Sequence, residues 1–278
     1  MTFPPYHILL VGCGKMGGAL LKSWLNANDR TAPTPSLFAV TVVEPGGLGD
    51  IGANTDSVTV IPDIHAIPQS IAPHAVVFAV KPQIMEKVLP AYQTLPEHTL
   101  FLSIAAGKTL DFFARHVGEE RPIVRAMPNL PASIGQGTTG AYANASVTAK
   151  QRVLAEQLLG VVGKLHWLPN ESLLDAVTAI SGSGPAYLFL LLEALEESGA
   201  ALGLPPELAK ALAYETMEGS IALAKKSSAK ASTLREQVTS PNGTTAAALE
   251  VLMGEAGLKK LMRDATRAAC ERSKELSE

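Results

Sequence analysis

The segment that most restricts how this chain can fold is Gly12-Cys13-Gly14-Lys15-Met16-Gly17. It follows the apolar run Ile8-Leu9-Leu10-Val11 and leads, after Gly18, into Ala19-Leu20-Leu21-Lys22-Ser23-Trp24-Leu25. Strand, tight glycine turn and helix, in that order, is the setting that gives G-x-G-x-x-G a physical meaning. Gly12 permits the turn, Gly14 lets the backbone approach a pyrophosphate, and Gly17 lets helix and strand pack closely. With Lys15 and Met16 these residues form a candidate cofactor-binding loop at a helix N-terminus.

Short β-type runs then alternate with helical or loop segments up to about Leu168. They are Ile8–Val11, Leu37–Val43, Val58–Ile61, Ala75–Val80, Thr99–Ile104, Pro122–Ala126, Thr138–Ala143 and Lys164–Leu168. Several are unbroken apolar runs, as strands buried on both faces should be. The alternation predicts a parallel, doubly wound sheet with ligands at the strand C-terminal ends. Ala79-Val80-Lys81-Pro82, Ala105-Ala106-Gly107 and Met127-Pro128-Asn129 each end a strand and together would line one crevice.

Glu44 ends the second expected strand, close to the ~20 residues past the glycines that the dinucleotide fingerprint requires. A carboxylate there can accept hydrogen bonds from the ribose hydroxyls of NADH and repels the 2′-phosphate of NADPH. No Lys or Arg lies between Glu44 and Lys81. NADH is therefore expected to serve at least as well as NADPH. In the competing arrangement Glu44 points to solvent and the N–H groups of Gly46 and Gly47 meet a phosphate.

After Pro169 helical periods dominate: about Leu173–Ile180, Pro185–Leu202, Pro205–Ala224, Ala231–Val238, Thr244–Met253 and Leu258–Leu276. The expected architecture is α/β, a Rossmann-type domain over 1–168 followed by an all-α domain over 169–278. Two segments, Ser181-Gly182-Ser183-Gly184-Pro185 and Thr239-Ser240-Pro241-Asn242-Gly243-Thr244-Thr245, read as loops that open helices. Each would leave N–H groups and hydroxyls free to cradle a carboxylate or phosphate. Leu188, Leu191, Leu192 and Leu195 keep helical spacing, but Phe189, Leu190 and Ala194 extend the apolar surface nearly all round. Such a helix must be covered on every side. A domain of this size barely surrounds it, so a partner subunit is expected to supply the rest.

Composition removes several classes. With 47% hydrophobic and 18% charged residues among 278, the chain can bury a sizeable core. A net charge of −3 gives no electrostatic argument for nucleic acid or anionic membrane. The two cysteines, Cys13 and Cys270, suggest neither a disulfide framework nor a metal site. The start, Met1 to His7, has no basic n-region, and the longest apolar run, Ala186–Leu192, stops at Glu193, short of the ~20 residues of a membrane span. A cytoplasmic protein is expected.

Long ordered motifs make the chain resemble pyrroline-5-carboxylate reductases. The most specific are Asp175-Ala176-Val177-Thr178-Ala179-Ile180-Ser181-Gly182-Ser183-Gly184-Pro185-Ala186-Tyr187 and Leu234-Arg235-Glu236-Gln237-Val238-Thr239-Ser240-Pro241. Ala79 to Gln83, Ser103 to Gly107 and Arg125 to Asn129 support them. Leu130, Asn242 and Glu215 depart from the family's usual threonine, glycine and glutamine. Asn242 replaces a glycine in a loop where asparagine tolerates left-handed backbone.

The resemblance implies a helical dimerisation domain, a homodimer or decamer, and reduction of a cyclic imine, 1-pyrroline-5-carboxylate, to L-proline by NADPH or NADH. It implies that Thr245 hydrogen-bonds the ring nitrogen, with Thr244 beside it. The substrate carboxylate would lie among the groups of Ser240, Asn242, Gly243, Thr244 and Thr245. Gln237 would reach the cofactor from the helical domain. Glu171 matches a family position near substrate, or is simply an acid favoured by a helix N-terminus. If the helical domains intertwine, each active site joins the glycine loop of one subunit to Thr245 of its neighbour. Reducing C=N needs orientation rather than a strong base, and the motifs contain no His–Asp or paired-carboxylate constellation. A β-hydroxyacid dehydrogenase-like enzyme and a nucleotide sensor without turnover are the rival readings. The first lacks a lysine near Ser183-Gly184-Pro185, and the second has no use for a second anion cradle.

Overall fold

The computed structural model describes residues 5–29, 37–48, 58–68 and 71–277. The first four residues, part of the stretch searched for a leader, lie outside them. Each of the eight β-type runs forms a strand: β1 Tyr6–Val11, β2 Phe38–Val43, β3 Val58–Ile61, β4 Ala75–Phe78, β5 Leu100–Ser103, β6 Ile123–Met127, β7 Gly137–Ala143 and β8 Gly163–Trp167. They form one sheet in the order β3-β2-β1-β4-β5-β6-β7-β8. β1 to β6 are mutually parallel, and the expectation of a parallel sheet fails only beyond them. β7 runs antiparallel to β6, and β8 parallel to β7. The physical reason is length: residues 128–136 fall short of the roughly a dozen that a parallel crossover needs.

Helices cover both faces. Alternation along β1 sends Ile8 and Leu10 into one core and Leu9 and Val11 into the other. The first core lies under α1 (Lys15–Asp29) and α4 (Ala149–Gly160), whose Leu20, Trp24, Leu154 and Leu158 are almost fully buried. Trp24 Nε1–H donates to the Leu158 carbonyl at 2.9 Å and ties these helices together. The second core lies under α2 (Met85–Val88) and α3 (Leu110–Val117) and is built on Phe78, Phe101, Phe113 and Met85. Arg121 is nine-tenths buried and donates to the carbonyls of Gln93, Leu95, Pro96 and Val117. It thereby satisfies a turn end that has no helix to continue into. At the outer edge β8 exposes Lys164 and His166, while its Trp167 lies under the Arg152 guanidinium, 3.9 Å away.

The chain forms two compact units: residues up to Ser183 together with those from Ala269 on, and Gly184–Ala268. The second unit is helical. It holds α6 (Gly184–Ala201), α7 (Pro206–Lys226), α8 (Ala231–Gln237), α9 (Thr244–Leu252) and the first part of α10 (Leu258–Glu275). α6 and α7 pack closely where Gly199 meets Ala209; a Cβ added at Gly199 would sit 2.8 Å from that of Ala209. No residue of α6 is buried in the single chain, and Leu188, Phe189, Leu190 and Leu195 are all exposed.

Within the first unit, α5 (Leu173–Val177) continues through Thr178–Gly182 into the helix of α6. Leu173–Ala201 is thus one helical stretch of 29 residues, long and apolar enough by length and composition to cross a membrane. The sequence estimate missed this because it counted only the run ending at Glu193. The end of α10 lies in the same unit as α5, where Ser273 Oγ donates to Asp175 Oδ1 at 2.7 Å.

At the opposite end of the sheet, His7 N–H donates to His74 Nδ1 at 3.0 Å, and His74 N–H donates to the His7 carbonyl at 2.8 Å. Partial burial, then the neighbouring His7 and His98, hold the His74 pKa below its ordinary 6.5. The folded state therefore favours the neutral ring that can accept the bond. This contribution is complete above about pH 6.5 and is lost as the pH falls toward the lower folded value. The expected outcome is that His74→Asn, which keeps an acceptor but cannot titrate, loses less melting temperature than the wild type between pH 7 and pH 5. Parallel thermal melts check it.

Candidate functional site: a nucleotide cleft and a helix-capping loop

The glycine loop stands where the strand order reverses. The chain leaves β1 for β2 on one side and returns to β4 on the other. Two bonds fix the turn: Gly12 N–H to the Val43 carbonyl at 3.0 Å, and Ala79 N–H to the Val11 carbonyl at 2.8 Å. Gly12 has φ +90°, and a Cβ there would meet Val80 Cγ1 at 2.7 Å. A Cβ on Gly17 would press into the Gly12 carbonyl oxygen. At Gly14 a Cβ would meet no atom within 4 Å, so that side of the loop is open space. Of the three glycines, two are required by the protein's own packing and one leaves room for a ligand.

That room is a cavity of about 510 Å³. It brings together Gly12, Gly14, Glu44, Ala79, Val80 and Lys81 from the predicted set. A second, smaller cavity of about 270 Å³ holds Gly14 and Lys15 with Ser133 and Lys22. Met16 and Gly17 line neither, and Pro82 opens a short turn, Pro82–Ile84, beside the first. The sequence reading missed Asp63, Ile64 and His65 after β3, and Ile84, Lys87 and Val88 on the turn and helix after β4. Pro62-Asp63 directly after an apolar run was the available signal. The open side at Gly14 and the apolar walls Ile64, Val80, Ile84 and Val88 suit a dinucleotide, with the loop and the N-terminus of α1 toward its phosphates.

Glu44 is held at this cleft. Its Oε2 accepts from Cys13 N–H at 2.8 Å and its Oε1 from Gly46 N–H at 3.4 Å. Burial, then the Glu44 carboxylate, push the Cys13 thiol above its ordinary 9.0, with Lys22 opposing, so the thiol stays protonated.

The remaining predicted residues of this unit lie along the next strand ends. Ala105 N–H donates to Ser103 Oγ at 3.2 Å. Ala106 follows it, and Gly107 has φ +73° with the Leu276 carbonyl close against it. Asn129 spans two elements: its Oδ1 accepts from Thr138 N–H at 2.8 Å, and its Nδ2 donates to the Ser181 carbonyl and Oγ, each at 3.2 Å. Glu171 Oε1 accepts from Leu110 N–H at 2.7 Å and from the Arg125 guanidinium. Arg125, side chain 9% exposed, entered the sequence reading only as the first residue of the Arg125–Asn129 motif and was given no role, since one arginine in an apolar strand carries no pattern.

Ser181 to Pro185 is not a loop. It lies inside the continuous helix, where Thr178–Gly182 make a wider turn and Ser183 N–H donates to the Thr178 carbonyl, five residues back, at 2.8 Å. Its N–H groups do not open a helix as an anion cradle would require. Pro185 brings no N–H to the helix ladder, and the Ser181 carbonyl is served by Asn129 instead.

The second predicted loop does open a helix. Asn242 has φ +58°, as its substitution for glycine requires, and Gly243 caps α9. Gly243 brings no side-chain cap, so among the described residues no hydroxyl or carboxylate bonds the first-turn N–H groups beside Thr244 and the half-buried Thr245. A Cβ on Gly243 would press into Ser240 Oγ. Gln237, the last residue of α8, is exposed.

Comparison with known proteins follows the same division. Residues 171–276 match the family model for pyrroline-5-carboxylate reductase dimerisation, and residues 7–107 match the model for coenzyme F420-dependent NADP oxidoreductase. The pyrroline-5-carboxylate reductase of Pseudomonas aeruginosa is 46% identical over 73% of this chain and 74% of its own. That of Pisum sativum is 35% identical over 98% of this chain and 96% of its own. Among solved structures, the enzyme from Coxiella burnetii superposes with a TM-score of 0.86 at 33% identity, covering 99% of this chain and all of its own. The Plasmodium falciparum pyrroline carboxylate reductase with NADP bound gives 0.83 at 29% identity, over 98% of each chain.

The glycines predict opposite behaviour. Gly17→Ala should lower the melting temperature, because its methyl displaces the Gly12 carbonyl. Gly14→Ala should melt like the wild type yet bind NAD(P)H at least about tenfold more weakly, about 1.4 kcal/mol. Melting curves and nucleotide titrations on both variants check this.

Proposed function

The chain belongs to the pyrroline-5-carboxylate reductase family, and from that membership we propose how its residues share the work. It is an NAD(P)H-dependent oxidoreductase that converts 1-pyrroline-5-carboxylate to L-proline, the closing step of proline biosynthesis. The reduced nicotinamide, when bound, supplies the hydride equivalent that saturates the C=N bond. Gly12, Gly14 and Gly17, with Lys15 and Met16, hold the pyrophosphate side, and Ala79 to Pro82 with Glu44 hold the adenosine side. Ala105 to Gly107, Asn129 and Gln237 attend the nicotinamide end. Asn129 and Glu171 also brace the protein, through Ser181 and Arg125.

The substrate is held at the start of α9. The observation that carries this reading is the uncapped first turn, flanked by the hydroxyls of Ser240, Thr244 and Thr245 and by the left-handed Asn242. A carboxylate at such a terminus gains roughly 0.3–1 kcal/mol, up to ~2 when partly buried. Each hydrogen bond to it adds on the order of 1.5–3 kcal/mol. Thr245 takes the imine nitrogen, and no general base is needed, since the imine enters protonated. The functional division is 1–168 for nucleotide and 169–278 for substrate and association, close to the 171–276 of the matched dimerisation model. The free thiols of Cys13 and Cys270 suit a reducing cytoplasm.

The protein is at least a homodimer through its helical unit. The exposed apolar surface of α6 and the dimerisation match over 171–276 support this. A second copy, not a lipid phase, covers α6, whose later turns carry Glu193, Glu196 and Glu197.

Thr245→Ala is expected to lower kcat and kcat/KM together by about 10- to 100-fold while NADH binding holds, since the lost bond acts on the reacting imine. Steady-state kinetics with a nucleotide titration reads this out, and an unchanged kcat removes Thr245 from that role. Leu191→Asp should give aggregated or unfolded protein rather than an active monomer. A folded, active wild-type monomer in sedimentation at micromolar concentration would refute the dimer.

A further inference from the structure

We propose that Glu44 is a specificity-determining residue that makes this reductase favour NADH over NADPH. The inference rests on the nucleotide cleft assigned above. Glu44 is the first residue after β2, half-buried, with its carboxylate held at both oxygens by Cys13 N–H and Gly46 N–H. Both partners are neutral and bring no counter-charge, and each oxygen keeps a lone pair for a further donor. The vicinal hydroxyls of an adenosine ribose are such donors, and Glu44 lines the cavity beside Gly12 and Gly14 where a ribose adjoins the phosphate-binding turn.

Charge is sorted across this cleft. β2 and β3 lie on one side of β1, and β4 on the other. The acids lining the cavity, Glu44 after β2 and Asp63 after β3, belong to the first side. The lysines, Lys81 after β4 and Lys87 on α2, belong to the second, and both are exposed. His65, also on the acidic side, is the only lining residue there that can become a cation among the described residues. A 2′-phosphate carries about −1.5 to −2 charges. On the acidic side it meets the half-buried Glu44 carboxylate and, further out, the exposed and more solvent-screened Asp63, like charges that disfavour it. An unphosphorylated ribose meets acceptors that match its hydroxyls. Gly46, the backbone donor that could have served a phosphate, already donates to Glu44.

The test is calorimetric titration of the full-length protein with NADH, NADPH, ADP-ribose and 2′-phospho-ADP-ribose, for wild type, Glu44→Gln and Glu44→Ser. Glutamine keeps an acceptor for the loop amides and removes the charge. The wild type should bind each unphosphorylated ligand about tenfold or more tightly than its 2′-phosphorylated counterpart. Both variants should close that gap, chiefly by tightening the phosphorylated ligand. A wild type that prefers the phosphorylated forms, or a ratio that neither variant moves, would overturn the proposal while leaving the cleft as the nucleotide site. Absence of binding by all four ligands would remove the site itself and the inference with it.

Discussion

The contact between the glycine loop and the end of β4 governs the nucleotide half of this molecule. Ala79 N–H reaches the Val11 carbonyl, and Val80 packs where Gly12 has no side chain. Because β1 and β4 are joined there, the chain must leave toward β2 and return on the other side. A reversal of strand order opens a crevice at the strand ends. Small residues at Gly12 and Gly17 keep the crevice narrow at its floor, and the vacancy beside Gly14 keeps it open at its mouth. Cores on both faces, tied by Trp24 to Leu158 and by the ring cluster around Phe78, hold the strands in that relation.

Much of this was legible because burial on both faces leaves a plain mark. β4 (Ala75–Phe78) and β5 (Leu100–Ser103) have all four residues buried, which demands a continuous apolar run. Helix ends were readable for a related reason, since Pro205 and Gly243 precede helices as their backbone preferences allow. Direction was less visible. The antiparallel turn into β7 follows from a connection too short for a crossover, a constraint of distance that strand composition does not record.

The site was legible in its loops and obscure in its supports. Glycines, hydroxyls and prolines announce themselves by spacing, whereas Asp63, Arg125 and Arg121 are single charged residues whose meaning appears only when the fold brings them to a partner. Ser181 to Pro185 was misread for an instructive reason. Serine, glycine and proline usually end helices. Here Asn129 supplies the donor that Pro185 lacks, so the helix passes through a stretch whose local preferences favour a break. Tertiary contact outweighs propensity where it removes the specific cost behind that propensity.

The outer strand β8 has a consequence for crowding. An edge strand offers an unpaired row of backbone groups to any similar strand nearby. On β8 the exposed positions are Lys164 and His166, and the alternate Trp167 is occupied by Arg152 and by a bond from its Nε1–H to Glu156. Two copies meeting edge to edge would have to desolvate these lysines without a counter-charge. Sheet-to-sheet stacking, the route by which many β-rich proteins precipitate, is thereby discouraged in a molecule that leaves a broad apolar helical face exposed in the single chain.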